Sequence, residues 1–233
     1  MMRQAVHSAR RVTRPAARPA GHETHPVNYT RVLVCDPQDV SSLITARQER
    51  GIDRHDEVWE GVYVASPHAN DEHQELVLGL ATIFQIVIAW AGLGRVRPGV
   101  NVSDREKKWT DNYRVPEIVV YLNDNPARNL QTHWVGGPDF GVEVISPGDR
   151  AREKLPFYAK VATRELLIID RDPWALELYA LKRKKLKLVA RSRPDDPLWL
   201  DSIVLPLSLR LVPGTPRPVI EVRNTETDEQ WRV

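Results

Sequence analysis

The sequence predicts a mixed α/β (α+β) domain, in which a mixed β-sheet is flanked by helices. Three observations carry that expectation: one long stretch of helical periodicity, several short β-branched runs, and an order along the chain that interleaves the two. Ordered structure is expected to begin near Thr30, and Val58 to Ala65 reads as a strand or hairpin around Glu60-Gly61. From Asn70 to Ala91 the apolar residues Leu76, Leu80, Ile83, Phe84, Val87 and Ile88 recur at helical spacing. Asn70 or Asp71 is the expected cap and Gly92 the stop. Arg95 to Val102, Glu117 to Leu122 and Phe140 to Ile145 read as three strands, with Pro126 to Pro138 the longest irregular connection between them. A short helix is expected between Pro147 and Val161. Pro156 suits its first position because proline lacks the N–H that a helix interior needs. Leu166 to Asp170 is an apolar strand, and Trp174 to Leu181 with Lys184 to Ala190 reads as a hairpin turning at Lys182-Arg183.

At 233 residues, with 42% hydrophobic and 27% charged residues, the chain suits one domain with a substantial core. Residues 1–26 are expected to be a disordered basic tail and 27–233 a single domain. Residues 1–22 hold Arg3, Arg10, Arg11, Arg14 and Arg18 and no acid. The rest of the chain therefore carries 28 basic against 31 acidic residues. A domain near −3 has no overall basic field, so nucleic acid would have to be held by a local patch. The single cysteine, Cys35, cannot form an internal disulfide, which suits a reducing, cytoplasmic compartment. Ile83 to Leu93 is too short an apolar run to span a membrane, being preceded by His73, Gln74 and Glu75.

Several chemistries are set aside by spacing. His68 and His73 are five residues apart and point roughly 140° from one another on a helix, so they do not make the i, i+4 pair of a zinc protease. The chain contains no phosphate-binding Gly-Lys-Ser/Thr loop and no Gly-x-Ser-x-Gly elbow. The basic run Lys182, Arg183, Lys184, Lys185 and Lys187 reads as a solvated hairpin tip in preference to the alternative, a contact for a phosphate backbone.

Two acids remain. Glu143 stands inside the apolar run Gly141-Val142-Glu143-Val144-Ile145-Ser146-Pro147, and Glu117 opens Glu117-Ile118-Val119-Val120-Tyr121 after Pro116. A carboxylate on a half-buried strand needs a cation or hydrogen-bond donors to remain charged, and two on neighbouring strands would suit a hard divalent cation. With Lys154 they make the set that metal-assisted phosphodiester hydrolysis requires: two acids for Mg²⁺ or Mn²⁺ and an ammonium to position the attacking hydroxide.

In the order and spacing of these pieces the chain resembles the Uma-two family of restriction endonucleases, within the PD-(D/E)XK nuclease superfamily, over roughly Val58 to Leu181. The resemblance runs through Glu57-Val58-Trp59-Glu60-Gly61, His73, Val115-Pro116-Glu117, the Gly141–Pro147 run, Lys154, Tyr158 and Arg164-Glu165-Leu166-Leu167-Ile168-Ile169-Asp170. It implies a restriction-endonuclease-like core, a DNA substrate and a homodimer. It places Glu117 at the Pro-acid position and Glu143 at the second acid. Ile145 falls where the superfamily has lysine. Lys154 from the following helix is the implied replacement and Lys160 the lesser one. Glu60 is implied as a further metal ligand or an orienting group for a metal-bound water. Glu117 stands where aspartate is usual, and its extra methylene extends the carboxylate by about 1.5 Å. The expected activity is metal-dependent DNA endonuclease. The alternative is a catalytically degenerate nuclease-like module that binds nucleic acid or protein.

Overall fold

A computed structural model of the chain describes residues 37–66, 69–145 and 150–233. The expected start near Thr30, the basic tail, His68 and the Ser146-Pro147 turn lie outside the described residues. In chain order the elements are helix α1 (Pro37–Glu49), strands β1 (Glu57–Trp59) and β2 (Val62–Val64), and helix α2 (Asp71–Phe84), which continues as a π-turn over Gln85–Trp90. Next come β3 (Gly94–Pro98), β4 (Val102–Ser103), β5 (Tyr113–Arg114), β6 (Ile118–Leu122), β7 (Arg128–Asn129), β8 (Trp134–Val135) and β9 (Phe140–Ile145). A 3-10 turn (Ala151–Lys154) leads into α3 (Leu155–Lys160). It is followed by β10 (Glu165–Arg171), β11 (Trp174–Lys182), β12 (Lys185–Ser192), β13 (Leu200–Asp201), β14 (Leu207–Val212), β15 (Val219–Asn224) and β16 (Gln230–Arg232).

The central sheet has the order β12-β11-β10-β9-β6-β3 and is mixed: β9 and β10 are parallel and their other neighbours antiparallel. Alternation along its strands builds two cores. Ile118, Val120, Val142, Val144, Leu167 and Ile169 face α2 and the antiparallel β13-β14-β15-β16 sheet. Val119, Tyr121, Ile145, Leu166 and Ile168 face α3 and Trp134 of the third sheet, β2-β1-β5-β4-β8-β7, with Tyr121 stacked on Trp134 at 3.8 Å. Because Val142 and Val144 belong to the first core, Glu143 points into the second. Burying an acid there puts its charge among apolar side chains, and the local donors have to compensate.

Helix α2 follows its sequence pattern. The Asn70 side chain accepts the His73 N–H at 3.0 Å as N-cap, Leu76, Leu80, Ile83 and Phe84 are buried, and Gly92 at φ 74° ends the helical run. Asp71–Trp90 reaches the length and hydropathy of a membrane span, yet its apolar stripe is used in the first core. The expected Arg95–Val102 strand divides into β3 and β4, which join different sheets. Gly99 at φ 55° breaks the extended backbone between them, and its N–H donates to the Glu117 carbonyl at 3.1 Å. Within the expected irregular connection Pro126–Pro138, β7 and β8 extend the third sheet. Helix α1 braces the β1 hairpin through Arg47, whose Nη2 lies 2.6 Å from the buried Asp56 carboxylate and 2.9 Å from the Ser66 carbonyl.

Candidate active site

The site assembles where the second core meets β1. Glu143, 2% exposed, presents Oε2 to Lys154 Nζ at 2.9 Å and Oε1 to the Tyr158 hydroxyl. Both donors come from the 3-10 turn and α3. Pro156 falls in the first turn of that helix, so the chain that leaves β9 returns both side chains over the strand. Tyr158 is fully buried, and its phenol is pushed well above its ordinary value, first by desolvation and then by the charges of Glu143 and Glu57. It therefore stays protonated and donates to Glu143.

Lys154 has a second partner, Glu57 of β1, whose Oε1 lies 2.9 Å from Nζ. Glu57 is itself 2% exposed and also accepts the Trp59 Nε1–H at 2.6 Å and the Val115 N–H at 2.8 Å. One ammonium thus bridges buried acids from two different sheets. Arg114 adds a second buried positive charge: it is 5% exposed and lies 4.6 Å from the Trp59 ring and 4.3 Å from Phe157. Burial lowers its pKa, opposed most by Glu57, but a guanidinium stays charged across the working range. Two carboxylates and two cations leave this cluster balanced, which is how so much charge is tolerated out of water.

Glu117 sits at the head of β6. Its N–H donates to the Val142 carbonyl at 3.0 Å, which brings it to the strand that carries Glu143, one step beyond the Ile118–Val142 pair. Its carboxylate lies 3.0 Å from His73 Nε2 and lines a cleft of about 290 Å³ with Arg54, His55 and Gln74. The two acids are therefore strand neighbours that keep separate partners. Among the described residues, no three His, Cys, Asp or Glu side chains gather as a metal cage. A Mg²⁺ ion does not require one, since it is held by one or two carboxylates and completes its shell with water and substrate phosphate. Glu117 and Glu143 are hard oxygen donors of that kind, and they fit.

Glu60 is placed elsewhere. It occupies the β1–β2 turn at φ 48°, with Gly61 at φ 86°, and its side chain is 62% exposed beside Asn112, Arg105 and Lys160. Lys160 lies 2.6 Å from Asp104 and 3.2 Å from Glu60. Burial opposes ionisation of Asp104, yet hydrogen bonds from Arg105 and Lys160 outweigh it and hold that carboxyl well below the usual range. Of the two lysines singled out in the sequence, Lys154 meets Glu143 and Lys160 belongs to this surface cluster. The basic hairpin tip at Lys182 lies at the far end of β11, about 17 Å along the strand from Glu177, which shares the Ile168 register with Glu143.

The family model described as "Uma2: Putative restriction endonuclease" matches residues 46–212. The chain belongs to the Uma2 family. A solved structure described as "a putative nuclease belonging to DUF820", from Anabaena variabilis, is similar to it with a TM-score of 0.50 and 17% identity, over 64% of this chain and 83% of that one. At that identity the likeness speaks for the fold, which is restriction-endonuclease-like. No curated protein matches the chain.

In this Uma2 chain the residue that sequence reasoning passed over is Glu57. The acid beside the turn glycine, Glu60, drew attention because it follows the family pattern. Glu57 carried a signal of its own, as an acid one residue before Val58 in an alternating strand, but its partner Lys154 belongs to another sheet and no local spacing connects them. Arg114 was missed for the same reason: its aromatic partners Trp59 and Phe157 are remote in sequence.

Proposed function

We propose that this protein is a divalent-metal-dependent DNA endonuclease that hydrolyses phosphodiester bonds at the Glu117, Glu143 and Lys154 site. The observation that carries the reading is the position of Lys154, whose Nζ is 2.9 Å from both Glu143 and Glu57. Glu117 and Glu143 would hold Mg²⁺ or Mn²⁺, and the ion would supply Lewis acidity at the phosphodiester. Lys154 orients the attacking water and offsets negative charge as it develops on the phosphate. Glu57 keeps that ammonium in place, and Tyr158, protonated throughout the working pH range, fixes the rotamer of Glu143. His73 orients Glu117.

The second reading, a nuclease-like domain that binds without cleaving, draws on the 3.0 Å contact of Glu117 with His73 and on Ile145, buried at the position of the superfamily lysine. Metal titration separates the two. Calorimetric titration with Mn²⁺ should show binding that Glu143→Ala and Glu117→Ala each weaken at least tenfold. Wild-type protein that binds no divalent ion would overturn the endonuclease reading in favour of the binding module.

A further inference from the structure

A stack of side chains leads from the buried site to the surface. The Trp59 ring has Arg114 at 4.6 Å and Arg150 at 4.7 Å from its centroid. Each guanidinium lies within cation–π distance of the same ring. Phe157 closes the inner end, 4.3 Å from Arg114. Trp59 is thus shared by Arg114 and Arg150, and Arg114 also packs on Phe157. Arg114 is buried, whereas the Arg150 side chain is 42% exposed. Trp59 donates from Nε1 to Glu57, the residue that holds Lys154, so Arg150 stacks on a ring bonded directly to the catalytic cluster.

From this geometry we infer that Arg150 is a backbone-phosphate contact for the DNA strand entering the site. The inference rests on the endonuclease reading for the identity of its ligand. Stacking on Trp59 holds the guanidinium plane while leaving its N–H edge for hydrogen bonds, the arrangement that favours arginine over lysine for phosphate. Glu153 takes Nε at 2.9 Å and also engages Nη2, two of the five N–H donors. That pair is nearly half exposed on both sides and contributes little, so a phosphodiester, with its charge-assisted bidentate contact, displaces Glu153. Neighbouring cations are committed more deeply. Arg152 bridges Asp170 and Glu177, and Arg171 bonds Glu72 and Asn70. The Lys182–Lys185 tip is at the opposite end of its hairpin.

The test is the anisotropy of a fluorescently labelled DNA duplex titrated with full-length protein in EDTA, over a series of salt concentrations. Arg150→Ala should weaken binding roughly tenfold and reduce the slope of log affinity against log salt by about one. Arg150→Lys should keep the slope and lose part of the affinity. Glu153→Ala, which leaves Arg150 in place and removes its competitor, should tighten binding several-fold. Arg150→Ala with wild-type affinity and slope, or Glu153→Ala with weaker binding, overturns the inference. Melting temperatures measured alongside identify a purely structural clip, which would lower stability without moving the slope, and that result also overturns it. If wild type binds DNA through Arg150 but never cleaves, the endonuclease reading fails and this inference stands. If wild type binds no DNA, both fail.

Discussion

Lys154 and Glu57 meet at 2.9 Å across two sheets, the lysine from the 3-10 turn after β9 and the acid from β1. This pair ties the small β1-β5-β4 sheet to the Glu143-bearing strand β9 of the central sheet. Removing the ammonium leaves two buried carboxylates with less compensation, and breaking a buried pair in this way costs about 3–5 kcal/mol. Lys154→Ala should therefore lower stability by about that amount in denaturant unfolding. Glu57→Gln keeps an acceptor for the Val115 N–H, removes the charge and replaces the oxygen that accepts the Trp59 Nε1–H with an amide NH2. It should cost less stability than Lys154→Ala and lower kcat roughly 10- to 100-fold, with a smaller change in KM.

Tyr158→Phe tests the donor on the other oxygen of Glu143. Loss of a hydrogen bond to a charged partner should cost about 1.5–3 kcal/mol. The alkaline limb should change too. Because the folded-state pKa of the phenol is raised by burial, its protonated form contributes stability that is complete below the unfolded tyrosine value near 10 and declines as pH rises above it. Equilibrium unfolding of the phenylalanine variant should lack that component of the decline.

A second acid gives the opposite pH signature from an ordinary paired carboxylate. Glu165 lies on the first-core face of β10 and accepts the Ser202 hydroxyl at 2.5 Å and the Ile203 N–H at 3.2 Å, and burial raises its pKa despite both bonds. Its contribution is full below the unfolded carboxylate range and is lost as pH rises through the raised value. Glu165→Gln retains an acceptor without the charge, so its stability relative to wild type should increase with pH between acid and neutral.

Arg152 is expected to position Lys154 in the proposed site. Its Nε lies 3.0 Å from Glu177 and its Nη2 2.7 Å from Asp170, which pins the 3-10 turn to the sheet two residues before the lysine. Glu177 is held below its usual range because bonds from Arg152, Tyr179 and Arg191 outweigh the effect of burial. Its stabilising contribution is present above the unfolded carboxylate range and is lost as pH falls through the lowered value. Arg152→Ala should make unfolding more acid-independent and cost about 1–3 kcal/mol. It should lower kcat more than it raises KM, and Arg152→Lys should restore part of that loss. A purely structural contact would not produce that split.

The legible parts of the fold were those with a repeating pattern. The long helix, its Asn70 cap, the Phe140–Ile145 strand and the β11–β12 hairpin all follow from periodicity over six or more residues. Two-residue strands such as β4 and β8 carry no period, and their pairing is decided by contacts remote in sequence. Helix α1 has few apolar residues and is held instead by the Arg47–Asp56 bond, which no local spacing announces. In the site, the Gly141–Pro147 run exposed Glu143 as an acid out of place. Lys154 was named with the two acids on the chemistry of phosphodiester hydrolysis and again through family resemblance, since a lysine in a short turn has nothing local to mark it. Glu57, hidden beside the more conspicuous Glu60-Gly61 turn, emerged only when the sheets came together.

The most direct test is cleavage of supercoiled, branched and single-stranded DNA in Mg²⁺ or Mn²⁺ by wild type and Glu143→Ala side by side, with folding checked by circular dichroism. The account predicts metal-dependent cleavage by wild type and none by the folded variant. Equal cleavage by both proteins, or no cleavage of any substrate by wild type, would contradict it.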